Sequence, residues 1–407
     1  MKRNIAIILV SILTAGVLSA CGGGASAPAP ASAPSPASPS APAASGGVVK
    51  IGVFEPQSGD NGAGGKQEIL GMQYANSVTP TVDIGGTTYN VQLVYADNQS
   101  STDKAPSAAQ SLVSAGCSVV LGSYGSAVSI AAASVFGDAG VPVIGVTCTN
   151  PAVTTGNDFY FRICFLDPFQ GTVLANFAKD KFQAKKAYCL AKQGDDYSVG
   201  LCNYFMQAFG KDNCKYETFP EGTSDYSSYV ANAKAYGASV FFSPVSTEAA
   251  ALIIDQANTQ NMSIPILAGD TWDSNVILNA AKGKNVQIFV TTFYQEGGNP
   301  QFDSGIKQWI SGSDTNKTNN GGDDKVAAVS AMGNDAYYVA LEAMKKAGSV
   351  KPADILAALP GVKYTGVTGD ISFNSIGDAN RNVAYVKQCN TQTGVWDFVT
   401  QQTVSAS

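Results

Sequence analysis

Three short stretches of this chain combine glycine, hydroxyl and acidic residues in a way that suits a small polar ligand. Gly122-Ser123-Tyr124-Gly125-Ser126 follows a β-branched run and precedes a helical one. Its glycines let backbone approach a ligand, and Ser126 adds a hydroxyl. Thr147-Cys148-Thr149-Asn150-Pro151 follows the next apolar run, with Thr149 as a second hydroxyl. A helix N-terminus has unpaired N–H groups and a partial positive charge, so such places suit a carboxylate. Gly269-Asp270-Thr271-Trp272-Asp273 offers a carboxylate, Asp270, that can accept hydrogen bonds from an ammonium group. Tyr197, in Gly194-Asp195-Asp196-Tyr197, follows another strand-like run. Serine, threonine and aspartate at such places also cap helices, and a lone tyrosine also packs as a surface aromatic. Spacing alone leaves both readings open.

Other chemistry is poorly supplied. The chain has no histidine. That removes the usual general base, the Ser-His and Cys-His nucleophile pairs and the commonest metal ligand. There is no Gly-x-Ser-x-Gly turn, so no enzyme is expected and no cofactor is called for. Eight cysteines are present. None has Cys-x-x-Cys spacing, so no zinc site is expected. Setting Cys21 aside leaves an odd set: Cys117, Cys148, Cys164, Cys189, Cys202, Cys214 and Cys389. Cys148 with Cys164 is the preferred disulfide, while burial as small hydrophobes is the competing reading. The stretch from Ser311 to Asp324 carries Asp314, Asn316, Thr318, Asp323 and Asp324 but lacks the glycine and terminal glutamate of a calcium loop, and is read as solvated. A net charge of −6 and pI of 4.8 argue against a nucleic-acid partner.

The elements that position these loops alternate. Val48–Phe54, Tyr89–Ala96, Ser118–Leu121 and Val141–Val146 read as strands. Between them, Gly65–Val78, Asp103–Ala115 and Ala127–Ala139 read as helices. A second series follows Asp167. Helices over Phe169–Phe182, Val199–Phe209, Tyr226–Tyr236 and Glu248–Thr259 separate strands at Lys186–Ala191, Lys215–Phe219, Ser239–Phe242 and Pro265–Leu267. Ala327–Gly348 reads as a long helix, and Asp370–Phe373 and Ala384–Gln388 as closing strands. Two βα series of similar size predict two doubly wound α/β lobes. In open α/β sheets ligands sit at the carboxyl ends of strands, where the three loops fall.

The N-terminus speaks to location. Lys2 and Arg3 precede a short apolar run, Ile5 to Val17, that ends in Leu18-Ser19-Ala20-Cys21. The run is too short to span a membrane, and the four residues resemble a bacterial lipobox. Residues 1–20 are therefore expected to be a lipoprotein signal peptide, with Cys21 carrying the lipid at an extracytoplasmic membrane face. Residues 21–47 are almost wholly Ala, Pro, Ser and Gly and read as a tether.

Taken in order, several stretches resemble the branched-chain amino-acid-binding family of type I periplasmic solute-binding proteins, which serve ABC importers. They include Ala96-Asp97-Asn98-Gln99-Ser100, Val120-Leu121-Gly122-Ser123, Phe161-Arg162-Ile163-Cys164-Phe165-Leu166-Asp167-Pro168-Phe169-Gln170-Gly171 and Ile266 to Asp273. Asn334-Asp335-Ala336-Tyr337 and Thr368 to Phe373 continue the match. The resemblance implies a type I periplasmic-binding fold, with a ligand cleft between two lobes hinged on three crossovers. These fall near Asp167, Thr292–Gly297 and Leu359–Tyr364. One lobe would comprise residues 48–167 plus about 297–359, the other 168–296 plus about 360–407. It implies that Ser126 and Thr149 bind an α-carboxylate. The Thr147 carbonyl and Asp270 would receive the α-ammonium. Tyr197 would sit in the cleft, with Tyr124 and Trp272 lining a side-chain pocket. The first loop, Gln57 to Gly65, departs from relatives in having no aromatic residue. The implied partners are a small amino acid, branched-chain or aliphatic by default, and membrane permease subunits. A sensor that presents its solute to a receptor is the alternative.

Overall fold

The computed structural model describes residues 46–403. The expected signal peptide, the lipidation site Cys21 and nearly all of the tether lie outside the described residues.

The first sheet contains β1 (Val48–Glu55), β2 (Thr81–Ile84), β3 (Thr87–Asp97), β4 (Val119–Leu121), β5 (Val143–Gly145) and β6 (Tyr160–Arg162). Their order is β2-β3-β1-β4-β5-β6, parallel except for the β2–β3 hairpin. That hairpin turns on Gly85-Gly86, with φ of 57° and 81°. Both values lie in the left-handed region that glycine enters at no steric cost. Helices α1 (Gly62–Val78), α2 (Ala105–Ser114) and α3 (Ser126–Ala139) connect the strands. The chain then enters α4 (Asp167–Phe182), which begins the second series.

That series runs β7 (Ala187–Lys192), α5 (Asp196–Phe209), β8 (Cys214–Phe219), α6 (Ser227–Tyr236), β9 (Val240–Phe242) and α7 (Thr247–Thr259). It continues through β10 (Ile266–Ala268), α8 (Asn275–Ala281) and β11 (Ile288–Thr292). The chain next forms α9 (Pro300–Ser311), α10 (Asp314–Asn319), α11 (Ala328–Ala347) and α12 (Pro352–Ala358). Of these, α9, α10 and α11 pack on α1, back beside the first sheet. A hairpin, β12 (Lys363–Gly366) with β13 (Gly369–Ser372), precedes β14 (Val383–Asn390) and β15 (Val395–Thr403), which close the second sheet. The order there is β15-β14-β11-β10-β9-β7-β8, with β14 and β15 antiparallel to their neighbours. The fold is thus two α/β lobes of the doubly wound kind.

Strands buried on both faces read as nearly unbroken apolar runs, and alternate residues feed different cores. On β1, Val53 joins the core under α1 and α11, while Phe54 joins the core under α2 and α3. The same alternation separates two cysteines. Cys148 lies in the α2–α3 core and Cys164 in the opposite one, and both are free. The expected Cys148–Cys164 disulfide is therefore corrected: the two thiols point to opposite sides of the sheet. All seven described cysteines are free, and only Cys214 is not fully buried.

Helix α1 begins at Gly62, one turn earlier than its glycine-rich start predicts. Its close approach to α11 needs small residues on both sides. A Cβ on Gly71 would fall 1.8 Å from the Ser330 carbonyl oxygen, and one on Gly333 would fall 2.2 Å from that of Glu68. Chain passages between the lobes follow β6 and β11 and precede β14. Before the last one, the Phe373 ring packs 5.2 Å from that of Phe161, and Asp378 pairs with Arg162 at 2.5 Å. Residues 373–378 therefore stay with the first sheet. Among the described residues, no helix is long and apolar enough to cross a membrane.

Candidate ligand-binding site

The carboxyl ends of β4 and β5 face those of β7 and β10 across a cleft. On the first-sheet side, β4 ends at Leu121 and the next loop carries Tyr124. The Tyr124 amide donates to Glu55 Oε2 at 2.6 Å, and its phenol donates to the Thr271 carbonyl at 2.9 Å. The second bond crosses the cleft. Gly64 makes room for the ring beside α1, since a Cβ there would meet the ring at 2.2 Å.

Ser126 opens α3, but its side chain does not cap that helix. Its hydroxyl accepts from the Asn150 amide at 3.2 Å. Thr149 is fully buried, and its hydroxyl lies close enough to the Asp167 carboxyl to lower it against the effect of burial. The Thr147 hydroxyl donates to Glu68 Oε2 at 2.6 Å. In that second loop Asn150 caps the short turn Pro151–Val153, its side chain accepting from the Ala152 amide.

On the second-sheet side, Asp270 is buried and accepts at Oδ1 from Gln170 Nε2 and from the Tyr197 phenol, each at 2.9 Å. Its amide donates to Gln170 Oε1 at 2.8 Å, and Thr291 donates to the same oxygen at 2.6 Å. Asp270 is therefore a braced carboxylate and not a helix cap. Burial pushes its carboxyl up to about 6, against the lowering effect of the Gln170 and Tyr197 bonds. Burial, then the Asp270 charge, raises the Tyr197 phenol and keeps it a donor. Tyr197 stands in the first turn of α5, whose cap is Asp195.

A cavity of about 50 Å³ lies between these sides. Tyr124, Ser126, Tyr197 and Thr271 line it. Thr147, Thr149 and Asp270 are buried beyond that wall. Trp272 is not at the wall either. Its ring packs in the core of the second lobe beneath α7, where its indole N–H donates to the Val245 carbonyl at 3.0 Å. Of the two aromatics expected to line a side-chain pocket, Tyr124 stands at this cavity's wall and Trp272 in the core. An Asp60–Lys192 ion pair at 2.7 Å stands at the cavity's edge, and Asn150 Nδ2 donates to the Asp196 carbonyl at 2.7 Å, also joining the two sides. Deeper in, Ser274 donates to Gln67 Oε1 at 2.8 Å. The two sides are therefore drawn together by direct polar contacts.

Further carboxyls adjoin the cleft that sequence reasoning did not single out. Glu55 ends β1 and Glu68 lies on the second turn of α1. Burial raises both, Glu68 to about 7, and the adjacent Glu68 carboxyl pushes Glu55 higher still. Asp167, at the start of α4, is raised by burial to about 8. An acidic residue ending an apolar strand, as in Val48 to Glu55, is the signal that marks Glu55. Glu68 has no comparable signal, because an acid within a helical run reads as solvated. The stretch around α10 is tied locally: Asp324 accepts from Ser311, and Asp323 pairs with Lys325.

Comparison with known proteins gives a consistent result. The periplasmic binding protein family matches residues 48–393. The Leu/Ile/Val-binding protein homolog 2 of Brucella abortus is 28% identical over 341 residues, covering 81% of this chain and 87% of that protein. Among solved structures, the leucine binding protein LivK from Thermotoga maritima is 30% identical with a TM-score of 0.74, covering 87% of this chain and 98% of that one. A solute binding protein of an ABC transporter from Rhodopseudomonas palustris, in complex with p-hydroxybenzoic acid, shares the fold at 18% identity and a TM-score of 0.72, over 88% and 97% of the two chains.

Proposed function

The chain belongs to the periplasmic binding protein family, and on that premise we propose that it captures an α-amino acid outside the cytoplasm and hands it to the permease of an ABC transporter. The observation that carries this reading is the split of polar groups across the cleft. Ser126, Thr149 and the amides opening α3 belong to one side, and suit a carboxylate. Asp270, braced by Gln170 and Tyr197, belongs to the other and suits an ammonium. A zwitterion places these two charges at a fixed separation, so only the closed cleft satisfies both. The Thr147 carbonyl assists at the ammonium, and Tyr124 covers the side chain.

In this reading the lobes comprise residues 48 to about 166 and 297 to 379, against 167 to 296 and 380 to 403. The last crossover then falls between Ala379 and Val383 instead of at Leu359–Tyr364, because the Phe161–Phe373 and Arg162–Asp378 contacts tie the intervening chain to the first sheet. Lipid on Cys21 anchors the protein, and residues 21–47 hold it off the membrane. A thermal-shift screen of the protein against the common L-amino acids tests the proposal. At least one should raise the midpoint by several degrees through mass action, and none should do so for an Asp270→Ala variant. A panel that leaves the wild type unmoved would remove the amino-acid assignment.

A further inference from the structure

Arg162 ends β6, and its side chain is fully buried. Pairing with Asp378 occupies a single N–H of its guanidinium, Nε, which donates to Asp378 Oδ1 at 2.5 Å. The rest of the group is spent on residues 148–154, the ligand loop and the short turn after it. Nη1 donates to the Cys148 carbonyl at 2.9 Å and to the Asn150 carbonyl at 2.5 Å. Nη2 donates to the Pro151 carbonyl at 3.4 Å and to Thr154 Oγ1 at 2.7 Å. Thr154 in turn donates to Asp378 Oδ1 at 2.7 Å. A guanidinium carries its N–H donors in a rigid planar fork, and here every one of them has an acceptor.

The carbonyls held by Nη1 flank Thr149. With its backbone pinned on both sides, the Asn150 amide is left aimed at the Ser126 hydroxyl, 3.2 Å away. Both hydroxyls assigned to an α-carboxylate are thus placed by one side chain, which itself stays off the cavity wall. The other end of the network reaches the hinge. Arg162 is the last residue of β6, after which the chain passes to the second lobe, and Asp378 lies just before the chain passes over again into β14. The two backbones are joined as well. The Arg162 amide donates to the Gly377 carbonyl at 2.9 Å, and Arg162 and Asp378 form a parallel bridge. Stability alone does not call for this arrangement, because apolar residues often replace a buried ion pair at no loss.

We propose that Arg162 is a positioning residue for ligand capture: it presents Thr149 and Ser126 to the α-carboxylate and ties their loop to the roots of two hinge strands. This rests on the amino-acid reading above and deepens it. Arg162→Lys cannot do the same. An ammonium has three N–H groups on a flexible stem, so it can meet Asp378 but leaves loop carbonyls unheld. The loss should then fall on the ligand's carboxylate and not on its ammonium, which Asp270 holds from the other lobe.

An α-carboxamide keeps the ammonium of its parent amino acid and loses the carboxylate charge. Calorimetry of the full chain at about pH 6.5, where both α-amines are protonated, therefore isolates that charge. The probes are L-leucine, L-valine, L-lysine, L-glutamine and L-phenylalanine, each beside its α-carboxamide. Wild type should bind at least one amino acid about tenfold or more tighter than its carboxamide, as expected for a charged bond in a closed site. Arg162→Lys should shrink that preference to about threefold or less, by weakening the amino acid while the carboxamide stays within about threefold of its wild-type affinity. Thr154→Val removes one acceptor, leaves the ion pair in place and should lose part of the preference in the same direction. A preference that survives Arg162→Lys in full would overturn the inference. Equal weakening of amino acid and carboxamide, the mark of a merely structural role, would overturn it too. Either result leaves the amino-acid function standing. Wild type that binds none of the amino acids would strike that function, and the inference with it. If Arg162→Lys does not fold, Thr154→Val decides, and an unchanged preference there overturns the inference.

Discussion

Among the described residues no lysine or arginine pairs with Asp270, and its two bracing partners, Gln170 and Tyr197, orient it without neutralising it. Removing it should cost an α-amino acid a charged hydrogen bond, roughly 1.5–3 kcal/mol, and strand the ammonium. Asp270→Ala is therefore expected to weaken binding of L-leucine and L-lysine by at least about tenfold to a hundredfold in calorimetry. Asp270→Asn keeps an acceptor and should do less harm. The buried carboxyls also set a pH dependence. Folding raises Asp270 to about 6, Glu68 to about 7 and Asp167 to about 8, with burial as the first cause. The native state thus binds more protons than the unfolded chain above the ordinary carboxylate range. Their contribution to stability is complete at low pH and is lost as pH rises through about 6 to 8. The unliganded protein should be less stable to urea at pH 8 than at pH 5.5, by on the order of a few kcal/mol. Glu68→Gln should flatten that slope; identical midpoints for the wild type at the two pH values would contradict the burial assignment. At this scale the sequence was only partly legible. Ser126, Thr149 and Asp270 stand out because hydroxyl and acid follow strands. Trp272, an aromatic in a strand-end loop, reads as pocket lining, and its ring packs in the core of the second lobe. Its indole N–H had a carbonyl to satisfy inside the lobe, and burial won.

The elements were more legible than their ends. Runs such as Val48 to Phe54 and Val119 to Leu121 announce core strands, because both faces are covered and no polar alternation is needed. The strand β6, only Tyr160–Arg162, was hidden inside the crossover sequence, and β2, Thr81–Ile84, carries too few apolar residues to stand alone. Helix α1 starts among glycines that read as loop, yet those glycines are what its surroundings require. The crossing of α1 and α11 gives a direct test. A methyl on Gly71 would collide with the Ser330 carbonyl, which is backbone and cannot swing away. Gly71→Ala should therefore cost at least about 1–3 kcal/mol in urea denaturation, as overpacked interiors do. Ala substitution at Gly283, where a Cβ meets nothing but φ is 75°, should cost about 1 kcal/mol for backbone strain alone. Equal losses at the two sites would mean the helix crossing is looser than described.

For the whole molecule, the cleft is bridged by Tyr124 to Thr271, Asp60 to Lys192 and Asn150 to Asp196. Further bonds join Ser274 to Gln67 and Asn275 to Asn320 and Lys325; all of these are polar, and in solution the ligand is expected to set the balance between open and closed forms. Small-angle scattering should give a smaller radius of gyration with saturating amino acid than without; an unchanged profile at saturation would reject hinge closure. Anchoring belongs to the same scale. Cys21→Ala should release the protein from membranes in fractionated cells and leave its fold unchanged, whereas a variant that stays bound would discard the lipid assignment. The claim that joins cleft, hinge and site is that the protein holds both charges of an α-amino acid at once. Calorimetric titration of the wild type with L-leucine and L-lysine, each beside its deaminated analogue, 4-methylpentanoate and 6-aminohexanoate, tests it most directly. The account predicts that whichever amino acid binds will lose about tenfold or more in affinity without its α-amino group. A deaminated analogue that binds as tightly as its parent would contradict it.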